Sequence, residues 1–207
     1  MPINLNDAGP QRGNFDLLPP GIYPFEAIVI PGQAGSDGYL RREKKNPRVL
    51  MLELECKVVG GDHAGRRVWD YIPVEIDESA NGDLAPIPAD ALSKIQSRVR
   101  RGRAKLRAIL DSAFELQPSD DSDAAQKKRE FDSYGAIHGL RFYAQVEEQA
   151  GSGGYGPSNR IDFIITPDLP DWPKQSAKAV VRTAAPSIAA SPKRTLAQDL
   201  DDDLPPF

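Results

Sequence analysis

Seven cations, Lys94, Arg98, Arg100, Arg101, Arg103, Lys105 and Arg107, follow one another between Asp90 and Asp111 with no acid among them. Such a run destabilises an isolated helix, because helix faces usually mix signs to gain i,i+4 pairs and these seven like charges follow one another with no compensating acid among them. Phosphate is the natural partner: cations that neutralise a nucleic-acid backbone release its condensed counterions and bind without reading sequence. The run nominates Arg98, Arg101, Arg103 and Lys105 as phosphate contacts. A second basic set, Arg41, Arg42, Lys44, Lys45 and Arg48, lies close to Tyr39. Aromatic rings complete this chemistry, since stacking a base on a ring face adds about 1–3 kcal/mol per base and tolerates any sequence. Tyr39, Trp69, Tyr71, Tyr143 beside Arg141, and Tyr155 in a glycine-rich loop are the candidates. Trp69 and Tyr71 share one side of their segment while Val68, Asp70 and Ile72 share the other, and the sequence does not choose which side is buried.

These side chains need a scaffold, and the periodicity of the chain describes one. The β-rich stretch 22–30 predicts a strand, with Pro24 placing its start on an edge. Over 49–59, Leu50, Leu52, Leu54, Cys56 and Val58 alternate with Glu53, Glu55 and Lys57, the pattern of a half-buried strand. Gly60, Gly61 and Gly65 bracket a turn into a third strand at 67–74. The period then becomes helical at Leu92, Ile95, Val99, Leu106, Ile109, Ala113 and Phe114, behind Asp90 as an N-cap, with Gly102 as the expected break or kink. Residues 117–130 read as a charged connection, alternation returns at Leu140, Phe142, Ala144 and Val146, and 160–166 reads as a fifth strand. The expected fold is therefore mainly β: a five-stranded oligonucleotide-binding (OB-fold) barrel with a helix between strands three and four. In that fold the loop between strands one and two, here 31–47, is a ligand-gripping element.

The 207 residues allow one ordinary domain with tails. The expected division is an arm at 1–20, the barrel at 21–169, a disordered Pro-, Ala- and Ser-rich linker at 170–198 and an acidic tip at 199–207. The net charge of −4 equals that of Asp199, Asp201, Asp202 and Asp203, so the remaining 26 basic and 26 acidic residues balance and any basic surface is local. One cysteine, Cys56, and two histidines, His63 and His138, support neither an internal disulfide nor a zinc site. No metal or cofactor is expected. The first seven residues have neither a basic nor an apolar leader region, and no run reaches membrane-spanning length, so the expected location is cytoplasmic.

The tip combines mutually repelling aspartates with an apolar end, so Phe207 is expected to enter a partner's pocket while carboxylates meet cations at its rim. Asp201, Asp202, Asp203, Leu204, Pro206 and Phe207 are its expected contacts. The tip resembles that of bacterial single-stranded DNA-binding proteins, which ends Asp-Asp-Asp-Ile-Pro-Phe; here Leu204 and an extra proline depart from it. A wider likeness runs over about residues 13–166. Gly13-Asn14-Phe15, Leu18-Pro19-Pro20-Gly21-Ile22-Tyr23, Gly65-Arg66-Arg67-Val68-Trp69-Asp70, Leu106-Arg107-Ala108-Ile109-Leu110 and Gly139-Leu140-Arg141-Phe142 together resemble a phage family regarded as single-stranded DNA-binding. That resemblance implies protection of replication and recombination intermediates in a bacterial host, recruitment of replication or recombination proteins through the tip, and no catalytic residue. It leaves homo-oligomerisation open. Two rival readings remain: a protein-binding adaptor without nucleic-acid affinity, and a Mg-dependent nuclease built on Glu55 and Lys57, which would need a further acid from a neighbouring strand end.

Overall fold

The computed structural model describes residues 17–77, 88–151 and 156–173. Along the chain these form β1 (Gly21–Ile30), β2 (Leu40–Arg42), β3 (Val49–Val58), β4 (Arg67–Ile76), α1 (Ala89–Ala113), α2 (Asp123–Arg129), a 3-10 turn (Tyr134–Ile137), β5 (Arg141–Gln149) and β6 (Ser158–Ile165). Every strand pairing is antiparallel. Because β4 pairs with β3 from Val49 to Lys57, it occupies one edge of that strand, and the other edge is shared by β2 at Leu50–Leu52 and β1 at Glu53–Val58. The ladder continues from β1 to β5 and then β6.

Two features depart from the expected five-stranded barrel. A sixth strand, β2, lies within the stretch read as a loop; three residues are too short for alternation to show. The strands also form an open sheet: β6 approaches β4, but no backbone ladder joins the two among the described residues. The helix after β4 is where the periodicity put it. It begins at Ala89 with Pro88 at the cap, so Asp90 sits in the first turn and caps nothing with its side chain.

Gly102 does not break α1. It lies where the helix crosses β4, and a Cβ there would stand 1.8 Å from the carbonyl oxygen of Pro73. The glycine permits a close approach of two backbones, which outweighs its low helix propensity. The short α2 replaces part of the expected charged connection: Ser122 Oγ accepts from the Ala125 N–H, and Lys127, Lys128 and Arg129 complement the carbonyl end.

The inner faces close over one core. Phe25, Ala27 and Val29 of β1, the even-numbered apolar residues of β3, Val68, Ile72 and Val74 of β4, and Phe142, Ala144 and Val146 of β5 pack beneath Leu106, Ile109 and Leu110 of α1. Phe25 and Phe142 are register partners, and their rings stack at 5.8 Å. Cys56 belongs to this core; burial, and secondarily the charge of Asp70, push its thiol pKa up. The segment that leads into β1 is fastened to β6. Leu18 is buried, its N–H donates to Asn159 Oδ1 at 2.7 Å, and Asn159 Nδ2 donates back to the Leu18 carbonyl at 2.8 Å.

Candidate nucleic-acid interface

Packing under α1 decides the orientation of β4. Val68, Ile72 and Val74 are buried, so Trp69 and Tyr71 point outward and remain 50% and 48% exposed. Their spacing of two residues places them about 6.7 Å apart along the strand on one face. Across the ladder Glu55 stands opposite Trp69 and Glu53 opposite Tyr71. Arg67 pairs with Glu55 at 3.0 Å. Arg41 pairs with Glu53 and places its guanidinium carbon 5.8 Å from the Tyr71 ring centroid, while the Tyr71 hydroxyl donates to Glu53 at 3.2 Å. Burial and then the Glu53 charge raise the pKa of that hydroxyl.

A hollow lies beside each ring. One, of about 540 Å³, is lined by Arg66, Arg67 and Trp69 facing Pro157, Ser158 and Asn159. The other, of about 290 Å³, is lined by Tyr71 and Pro73 of β4 and by Arg98, Arg101 and Lys105 of α1. The exposed edge of β4 thus carries two ring faces with cations on either side, which is the chemistry that holds a single-stranded polyanion with unpaired bases.

The basic run of α1 is not the uniform phosphate face expected from its composition. Tertiary structure brings the acids that the local sequence lacks. Arg98 makes a two-pronged pair with Glu43, at 3.1 and 2.9 Å. Lys105 Nζ lies 2.7 Å from Asp70 and donates to the Ile161 carbonyl at 3.0 Å, and Arg103 Nε donates to the Val74 carbonyl at 2.7 Å. Arg107 reaches Asp121 and the Pro118 carbonyl. These four cations tie α1 to its surroundings. Lys94, Arg100 and Arg101 are exposed and have no ion-pair partner among the described residues; of these, Arg101 opens onto the hollow beside Tyr71. In the other basic set, Arg42 pairs with Asp77, while Lys44 and Lys45 are exposed.

Tyr39 is a correction. It is only 8% exposed, in the core, with its ring so close to Gly135 that a Cβ there would meet it at 2.6 Å. Asp37 folds this segment down by accepting from the N–H groups of Tyr39 and Tyr134 and from the Ser133 hydroxyl. The tyrosine packs, and it presents no face to a base. Tyr143 points outward as its alternation suggested but is partly covered by Trp172, whose ring meets it edge-on at 5.4 Å. With Arg141, Phe114 and Lys128 this pair lines a separate hollow of about 390 Å³. Neither Tyr143 nor Arg141 lines either hollow beside Trp69 and Tyr71. Tyr155 and all the tip residues lie outside the described residues.

The sequence reading missed Trp172, which follows the last strand in a stretch read as linker, and Phe163, 52% exposed on β6. A register shift between Gln145 and Val146 disturbs alternation opposite Phe163, which removes the signal that would have marked it as outward. Glu55 is held by Arg67, and no cluster of three potential metal-ligating side chains occurs among the described residues. Comparison with protein-family models gives no match, and comparison with curated protein sequences gives none either.

Proposed function

We propose that this protein binds single-stranded DNA without sequence preference through the outer face of β3 and β4, and that its sheet is an OB-type barrel. The observation that carries the reading is the pair Trp69 and Tyr71, two large rings left half in solvent on adjacent outward positions and flanked by Arg41, Arg67 and Arg101. Exposed aromatics grouped on one face are the kind of apolar surface that marks a binding site. Rings supply stacking, cations supply phosphate contacts, and neither reads base edges. The sheet order β4-β3-β1-β5-β6, with α1 between β4 and β5, supports the barrel assignment. In keeping with the phage family it resembles, the protein would cover replication and recombination intermediates in a host cytoplasm, and its tip would recruit proteins acting on them.

The test is a binding series with single-stranded DNA, duplex DNA and RNA of matched length over a range of salt. Single-stranded DNA is expected to bind more tightly than duplex, with a log–log salt slope of about −0.7 for each phosphate neutralised. Tighter binding to duplex would sink the proposal. The tip has its own test. Phe207→Ala is expected to abolish capture of replication or recombination proteins while leaving DNA affinity unchanged, because it removes the apolar anchor and keeps every aspartate. Undiminished capture by that variant would reduce the tip to a charge effect.

A further inference from the structure

Glu53 stands where the ring and the cation of this face meet. Its carboxylate receives the Tyr71 hydroxyl on one oxygen and the Arg41 guanidinium on the other. The Glu53 side chain is 13% exposed and that of Arg41 35%, so the carboxylate is recessed and the guanidinium is the outer partner. Arg41 also lies across the face of the Tyr71 ring. In the free protein, one cation and one ring are therefore both engaged by a single acid.

We propose that Glu53 is an internal competitor for phosphate, holding Arg41 over Tyr71 until an incoming strand displaces it. The inference rests on the single-stranded DNA reading and concerns how that site selects its ligand. Arg41 can swing outward because it is the exposed member of the pair. Glu53 keeps the Tyr71 hydroxyl bond when the arginine leaves, so the recessed carboxylate is not left without a partner. A lone phosphate must outcompete a carboxylate already in place. A strand engages Arg41 while it also stacks on the uncovered ring and meets Arg67 and Arg101, so the competition favours a continuous chain of phosphates and bases over isolated anions. Glu55 stands to Arg67 and Trp69 in a similar relation, without the hydroxyl bond.

The experiment is a double-mutant cycle on oligothymidylate affinity across salt, with Glu53→Gln, Arg41→Gln and the double variant. Glu53→Gln is expected to tighten binding about two- to fivefold, the worth of an ion pair whose outer partner meets solvent, and to steepen the salt dependence. In the Arg41→Gln background the same change is expected to bring no gain. Glu53→Asp keeps the charge but withdraws the carboxylate, and is expected to tighten binding too, which removes general charge repulsion as the cause and serves should Glu53→Gln fail to fold. An unchanged or weaker Glu53→Gln variant, or an equal gain without Arg41, would overturn the competitor role alone. Failure of the wild-type protein to bind any single strand would overturn the DNA reading and the competitor with it.

Discussion

Replacing Trp69 and Tyr71 together by alanine is expected to weaken single-stranded DNA binding at least about 30-fold while leaving the salt slope near its wild-type value. Each stacked base is worth about 1–3 kcal/mol, and two stacking faces are removed while every cation of the face is kept. Folding is expected to survive, because both rings stand half in solvent and the buried positions of β4 are Val68, Ile72 and Val74. Fluorescence anisotropy with a labelled oligonucleotide, alongside a thermal melt, separates the two effects. A folded double variant with full affinity would remove β4 as the platform and move attention to the hollow under Tyr143 and Trp172. Changing Arg101 alone should have the opposite signature, a modest loss of affinity and a flatter slope. Lys105 and Arg98 are poor choices for that comparison, because each holds α1 to another element.

Gly102→Ala is expected to destabilise the fold by about 3 kcal/mol, despite being a change that favours helices. The gain in propensity is about 1 kcal/mol. Against it stands a Cβ placed 1.8 Å from the Pro73 carbonyl oxygen and 2.8 Å from its carbon, which are backbone atoms and cannot rotate away. The helix would have to lift from β4, loosening Leu106 and Ile109 from the core they cover and shifting Arg103 and Lys105 from their carbonyl partners. Overpacking costs roughly 1–3 kcal/mol and occasionally more; with backbone atoms in the way the cost is taken at about 4 kcal/mol, which leaves about 3 kcal/mol after the gain in propensity. For a chain of this size the melting temperature should fall by about 5–10 °C. An unchanged or raised melting temperature would mean that α1 slides over β4 without resistance.

Much of the scaffold was legible because alternation and helical spacing are relations between near neighbours. Leu50 to Val58 and Leu140 to Val146 carry their own burial pattern, and β3, β5 and α1 appear where that pattern put them. The pattern was mute where the element is too short, as at β2, or where a bulge interrupts it, as beside Phe163. Gly102 was visible as an anomaly in the helix, but its cause is a strand crossing overhead, and no local rule contains that.

The sequence by itself determined the inventory of the candidate site: aromatic rings, clustered cations, one helix between strands and a separately composed acidic tip. Tertiary structure decided which of those groups are available. It buried Tyr39 and turned Trp69 and Tyr71 outward. It also paired Arg98, Lys105 and Arg41 with Glu43, Asp70 and Glu53, acids contributed by other segments. The physical reason is that exposure and charge pairing depend on distances through space, set when the sheet and α1 close over a common core, whereas composition and period are properties of the chain before it folds.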